Sequence, residues 1–440
     1  MSLNNLKILF LIVGTGNFNN PVSYLKLLRK AIDHTDANNV VLIPSGKSLN
    51  NANAIKTEYD NSRAVTIELL PEKSIEFDVD KCYEYFESLF QKLFQQGFRA
   101  ENFIIDFTHG TKAMSAALYA IGMRYRVSDF HYIRRNNDAN GNVIEGEELK
   151  TFDASYARCL SVLDQCKLLF ENWQFSAVKS LLNAEKPSGK KMKKRFDDVK
   201  MLADFYAAWD RMDYAKAFEL FPWLQIDGFR KFVPTDSVRE WLNDLKQPVT
   251  ATGDCDSPLT DGQKQNNAAL LGNLLVDLYA NALRRIKSGA LEDAGIRIYR
   301  IAEMIGQACL YEKGYVSNQM PSSDDAVRCF AQNNSIYTKN GTDVYEFGRE
   351  RAVEFLKKIS TEGDKFYDTA NILAERNVEI RALRNTSVLI HGFSAKATSA
   401  EEMTNLLDAL LKAVNLIYDR DIVKAKLQNA MFMNDFKDNS

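Results

Sequence analysis

Two stretches of this 440-residue chain hold residue types whose order suggests chemistry. The first is "DFTHGTKAM", where Thr108, His109, Gly110, Thr111 and Lys112 stand between the apolar run "NFII" and an apolar-periodic helix. Gly110 permits a positive φ or a close backbone approach. The two threonines supply hydroxyls. Lys112 opens the helix, where the macrodipole disfavours a cation, and an anion held between the lysine and the helix end would remove that mismatch. The second stretch is "RALRNTSVLIHGF", with Arg384, Asn385 and His391. A guanidinium grips phosphate oxygens bidentately, and an imidazole moves protons near neutral pH. Arginine followed a few residues later by histidine also occurs at Arg29/His34 and Arg126/His131. The first of these pairs falls at the far end of a sheet-covering helix and the second straddles a helix end and a strand start, so both read as incidental.

The elements that position these residues follow from periodicity. "KILFLIVGTG", "NNVVLIPSGKS", "AVTIELL", "NFIIDFTHGTK" and "SDFHYIRR" read as strands, and amphipathic helices alternate with them. That alternation predicts an α/β, Rossmann-like first domain with a mostly parallel sheet covered on both faces. Ligands of such sheets sit at the C-terminal strand ends. Two further loops end strands there: "GTGNFNNP", with Gly14, Thr15, Gly16 and Asn17, and "PSGKS", with Ser45, Gly46 and Lys47. The third glycine of a dinucleotide fingerprint is missing from the former, and no Walker loop occurs. A nicotinamide or flavin dehydrogenase is therefore disfavoured.

From residue 153 the pattern is all helical. "FENWQFSAVKSLL" and "WDRMDYAKAFELF" align at a 39-residue offset, with Phe175 matching Tyr214 and Val178 matching Ala217. Between them "KPSGKKMKKR" (186–195) reads as a basic, solvated turn, with contact to RNA phosphates as the lesser reading. The Pro-, Gly- and Asp-rich stretch 246–267 marks the clearest boundary. The chain thus divides into a Rossmann-like domain at 1–152, a helical connector at 153–255 and an all-α domain at 256–440. One helix is expected to run through "DTANILAERNVEIRALRNTSVLIHG".

Bulk properties narrow the function classes. A net charge of −2 provides no global field for nucleic acid or membrane, so stable DNA binding is not expected and any RNA contact is local. No apolar run is long enough to span a bilayer. No secretory signal is evident, and the six scattered cysteines form no CxxC pair, which fits buried free thiols in a reducing cytoplasm. With four histidines and no HExxH-like spacing, no metal site is expected.

The turn "DFTHGTKAM", with "GTG" after the first strand and "PSGKS" after the second, resembles the CRISPR-associated Rossmann-fold (CARF) proteins. The resemblance implies a homodimeric sensor of cyclic oligoadenylates, of four or six adenylates. Gly14, Thr15, Gly16, Ser45, Thr108, Gly110, Thr111 and Lys112 would line the ligand, and Asn17, Gly46, Lys47 and His109 of the same loops complete the candidate site. Arg384, Asn385 and His391, preceded by the helix pair "DLYANALRR" and "RIYRIAEMIGQACL", resemble the signature of the HEPN ribonucleases. Together the two resemblances imply an activator-dependent, metal-independent endoribonuclease of CRISPR antiviral defence. It would need no cofactor, cut single-stranded RNA and use a catalytic centre shared by two subunits. Two alternatives stay open: a nucleotide-sensing regulator that cuts nothing, and a ring nuclease that degrades its own cyclic oligoadenylate.

Overall fold

The computed structural model describes residues 6–15, 21–71, 74–137, 143–152, 154–187, 189–222, 226–249, 259–338, 342–386 and 398–432. The chain folds into two compact units, Met1–Asp164 with Asn183–Lys194, and Gln165–Leu182 with Arg195–Ser440. The stretch expected as a separate connector is shared between them.

The first unit is built on strands β1 (Ile8–Val13), β2 (Asn39–Pro44), β3 (Ala64–Ile67), β4 (Phe103–Asp106), β5 (Asp129–Asn137) and β6 (Val143–Phe152). Helices α1 (Pro21–Asp33), α2 (Leu49–Tyr59), α3 (Val79–Gln95) and α4 (Lys112–Arg124) connect them. The sheet order is β3-β2-β1-β4-β5-β6, parallel up to β5, with β6 antiparallel as the second arm of a hairpin. The mostly parallel sheet is thus observed. The sequence reading had no α2; its polar run "LNNANAIKTEY" shows little amphipathic contrast, and only Ala52, Ile55 and Tyr59 are buried.

Alternation along the strands explains the two faces. Phe10, Ile12, Ile43 and Ile105 pack against Phe86, Phe90, Leu118 and Ile121 of α3 and α4. Leu9, Leu11, Leu42 and Ile104 pack against Leu28, Ile32 and Ile55 of α1 and α2. Each fully buried side chain of this size contributes about 1.5–3 kcal/mol of apolar transfer. Because chain order reverses at β1, the switch point lies between β1 and β4, and the loops after these two strands flank it.

Helices continue the chain: α5 (Ser155–Glu171), α6 (Phe175–Asn183), α7 (Gly189–Asp210), α8 (Tyr214–Glu219) and α9 (Asp236–Leu245). The 39-residue repeat is real at the level of the backbone. Trp173 and Met212, 39 apart, both take a left-handed φ, of 56° and 63°. Gln174 N donates to Leu169 O at 2.8 Å, and Asp213 N donates to Ala208 O at 3.0 Å, so both helices close with the same turn. The basic run 186–195 is not a turn throughout: α7 begins within it, at Gly189.

The second unit continues with α10 (Asp261–Lys287), α11 (Leu291–Glu312), α12 (Asp325–Asn333), α13 (Arg349–Ile359), α14 (Lys365–Glu375), α15 (Asn377–Thr386), α16 (Ala400–Ile417) and α17 (Arg420–Ala430). The boundary expected at 255/256 lies outside the described residues, but α10 starts cleanly: Thr260 and Gln263 form a capping box. A buried polar cluster ties α10 to the second repeat turn. Asp277 accepts hydrogen bonds from Trp209 Nε1 and Tyr214 OH, both at 2.9 Å. Asn281 Nδ2 donates to Asp210 O at 2.9 Å, and Arg284 approaches the Asp210 carboxylate at 3.4 Å.

The long helix expected over the second candidate site is broken at Arg376, which separates α14 from α15. Cysteines 82, 159, 166 and 309 are buried and outside any disulfide, as expected, whereas Cys329 is exposed and Cys255 lies outside the described residues. Among the described residues, no helix is long and apolar enough to cross a membrane.

Candidate functional site

In the first unit, the turn after β4 is held by its own side chains. Thr108 N donates to Asp106 Oδ1 at 2.8 Å, and Thr108 Oγ1 accepts from Ile133 N at 2.8 Å. Thr111 is the N-cap of α4: its hydroxyl accepts from Met114 N at 3.2 Å and donates to Glu76 O. Both hydroxyls thus build the turn. Gly110 has φ +88°, and a Cβ there would lie 2.2 Å from Ile12 Cγ2, so no other residue fits without strain. His109 is 3% exposed and turned inward, while its carbonyl accepts from Ser115 Oγ at 2.9 Å. Lys112 is exposed at the first position of α4.

Beside this turn, Asn51 Nδ2 donates to Gly14 O at 3.0 Å and Thr15 O at 3.3 Å, ordering the loop after β1. Gly16 and Asn17 lie outside the described residues. Ser48 Oγ reaches Val13 O at 2.6 Å and accepts from Ser45 N at 2.9 Å, which joins the β1 and β2 loops. Ser45 is buried, Gly46 is exposed, and Lys47 extends outward to 3.7 Å from Glu76. Asn51, Glu76 and the exposed Phe77 beside Lys47 were not singled out from sequence. They come from segments whose only local signal is polarity, and the fold brings them to the strand ends.

Asp106 lies beneath the turn with no exposed surface. Burial pushes its carboxyl up to about 6, against hydrogen bonding from Thr108 and the nearby His131. Because the folded value is raised, the stability tied to this group is intact below about pH 4 and is lost as pH rises through about 6. Asp106→Asn keeps an acceptor for Thr108 and removes the titration. It should therefore raise stability at pH 8 by up to about 3 kcal/mol and confer no gain at pH 4. Thermal melts of both proteins at the two pH values check this; the same shift at both would refute it.

In the second unit, Arg384 and Asn385 lie in the last turn of α15 and are exposed. They line a cleft of about 370 Å³ together with Tyr299, Arg349, Arg351 and Arg381. The Arg384 guanidinium sits 5.6 Å from the centroid of the Tyr299 ring. His391 lies outside the described residues. The two other Arg/His pairs have structural roles. Arg29 is paired with Glu58 at 2.9 Å, Arg126 with Glu185 at 3.8 Å, and His131 is buried on β5 beside Asp129. Sequence reading missed Arg349, although an arginine opening a helix carries the same dipole mismatch that drew attention to Lys112.

The whole chain has a known counterpart in fold. A structure of Enterococcus italicus Csm6 bound to cyclic hexa-2'-fluoro-hexa-dAMP aligns with 98% of this chain and 99% of its own, at a TM-score of 0.58 and 15% identity. At that identity the match speaks for the fold. Residues 263–417, which include Arg384 and the arginine-lined cleft, match the family model of the Csm6 HEPN domain. Residues 263–417 thus carry a HEPN domain of the Csm6 type. A Rossmann-like sheet stands in the first unit and the matched HEPN domain in the second. No curated protein sequence matches it significantly.

Proposed function

We propose that this chain is a metal-independent endoribonuclease that cuts single-stranded RNA when a cyclic oligoadenylate binds its first unit. The observation that carries the reading is the placement of Arg384 and Asn385, within the matched HEPN domain, on a cleft lined by further arginines. In the reaction, a 2′-hydroxyl attacks the adjacent phosphorus. Its proton passes to a base, the P–O5′ bond breaks, and the departing 5′-oxygen takes up a proton. The products are a 2′,3′-cyclic phosphate and a 5′-hydroxyl. Arg384 holds the phosphate oxygens as charge builds on them, Asn385 orients the phosphate, and His391 transfers protons. One histidine does not readily serve both proton transfers, so the active form is a homodimer with two Arg/His sets in one cleft.

The activator reading rests on the glycine- and threonine-built loops at the switch point and on the ring nucleotide in the Csm6 structure of similar fold. That ligand makes a ring of six adenylates the first to test. RNA incubated in EDTA with the protein and each cyclic oligoadenylate should be cut with one ring only; no cutting with any ring defeats the reading. For the sensor, Lys112 is a cleaner probe than Thr111, whose loss as a cap alone costs about 1 kcal/mol. Lys112→Ala should raise the half-activating concentration roughly tenfold or more, as for one charge-assisted phosphate contact, with no change in melting temperature. An unchanged activation curve would remove Lys112 from the site.

A further inference from the structure

The cleft beside Arg384 adjoins a larger cavity of about 740 Å³, and Gly348 and Arg349 line both. That volume is within the usual range for small-molecule sites. Its walls combine apolar side chains such as Leu274 and Ile296 with Arg300, Glu303 and Gln307 of α11. Glu303 and Gln307 are one helical turn apart and therefore share a face.

Arg349 is the first residue of α13, and its N-cap, Gly348, has no side chain to satisfy the helix's free N–H groups. The arginine side chain is only 4% exposed. Its Nη2 donates to Asn377 Oδ1 and approaches Glu350 at 3.3 Å, but its Nε–H is buried with no hydrogen-bond partner. A buried guanidinium with an unused donor, at the positive end of a helix, is electrostatically unfavourable until an anion arrives. The guanidinium also lies 5.6 Å from the centroid of the Tyr299 ring, the same distance as Arg384 from that ring. The two guanidinium groups are therefore at most twice that distance apart, a separation that neighbouring phosphates of one strand can bridge.

We propose that Arg349 and the N-terminus of α13 bind the RNA phosphate next to the scissile one, and that the nucleoside attached to it enters the larger cavity. This rests on the reading of Arg384 as the cutting centre. A phosphate here competes with Glu350 for the guanidinium and adds the helix N–H groups as donors. Glu303 and Gln307 offer an acceptor and an amide to a base edge. Arg349 thus sets where a strand is cut, and Arg384 acts on the phosphate that is cut.

The test uses full-length protein and an RNA oligonucleotide made uncleavable by one 2′-deoxy nucleotide, so that binding is read apart from cutting. Arg349→Ala should weaken binding about tenfold to a hundredfold. A neutral methylphosphonate at the flanking linkage should weaken wild-type binding by a similar factor and leave Arg349→Ala unaffected. Arg349→Lys, which keeps the charge, should fall between and serves if the alanine variant does not fold. Equal loss for charged and neutral linkages would overturn the phosphate contact. Gly306 lines the cavity, and a Cβ added there meets nothing within 4 Å. Gly306→Leu should therefore fold, raise KM for RNA about tenfold and leave kcat unchanged; an unchanged KM would overturn the nucleoside site. If Arg384→Ala still cuts RNA, the cutting centre is wrong, whereas the binding comparisons judge Arg349 independently.

Discussion

Arg384→Ala and His391→Ala should each lower activator-dependent RNA cleavage by about a thousandfold or more and leave cyclic-oligoadenylate binding unchanged. General acid–base catalysis by a positioned imidazole accounts for about 10²–10⁴ in rate. Donors aimed at developing charge account for about 10²–10³. Arg384 is exposed at a helix end and shares the Tyr299 ring with Arg349, so its removal deletes charge from the cleft without opening the core. Melting temperatures should therefore stay unchanged. If both residues act on one phosphate, as proposed, the double variant should be little worse than either single one. Single-turnover cleavage of a labelled RNA at saturating activator measures this. Cleavage by either variant at the wild-type rate removes that residue from the centre.

The second large effect concerns stability. Asp277→Ala should destabilise the second unit by about 3–5 kcal/mol, the usual cost of breaking a buried charged network. Asp277 has no exposed surface, and burial raises its pKa against the stabilising influence of Arg284, Trp209 and Tyr214. Truncation leaves the Trp209 N–H and the Tyr214 hydroxyl without their acceptor. In a unit of this size, that corresponds to a fall in melting temperature of roughly 10 °C. Asp277→Asn keeps the shape and one acceptor, and should cost much less. Equal melting temperatures for Asp277→Ala and wild type would show that the cluster contributes nothing.

The sheet was legible because its central strands β1, β2 and β4 are nearly pure apolar runs and helices α1 and α3 repeat with the helical period. α2 escaped because a helix with three buried residues leaves almost no periodic trace. At the strand ends, Gly110 was readable as a glycine that its turn requires. The threonines beside it were read as ligand contacts, and the structure also gives them caps and turns to hold, since one hydroxyl looks the same in sequence whichever partner it finds. Arg384 and Asn385 were legible as a motif. Arg349 and Tyr299 were not, because they come from two other helices and meet Arg384 only through packing. The break at Arg376 was hidden for a different reason: the apolar spacing continues across it and no proline or glycine marks it.

α10 is a single helix of 27 residues, about 40 Å long. Its C-terminal half is pinned to the second repeat turn through Asp277, Asn281 and Arg284, and its flank lies along α11, the helix that carries Tyr299. A stiff rod clamped in its C-terminal half can work as a lever on its N-terminal part. A tilt of about 5° about the clamp moves the N-terminal tip, about 30 Å away, by roughly 2.6 Å, close to the length of a hydrogen bond. A small rotation of the repeat turn would therefore be carried along the helix with no residue needing to unfold.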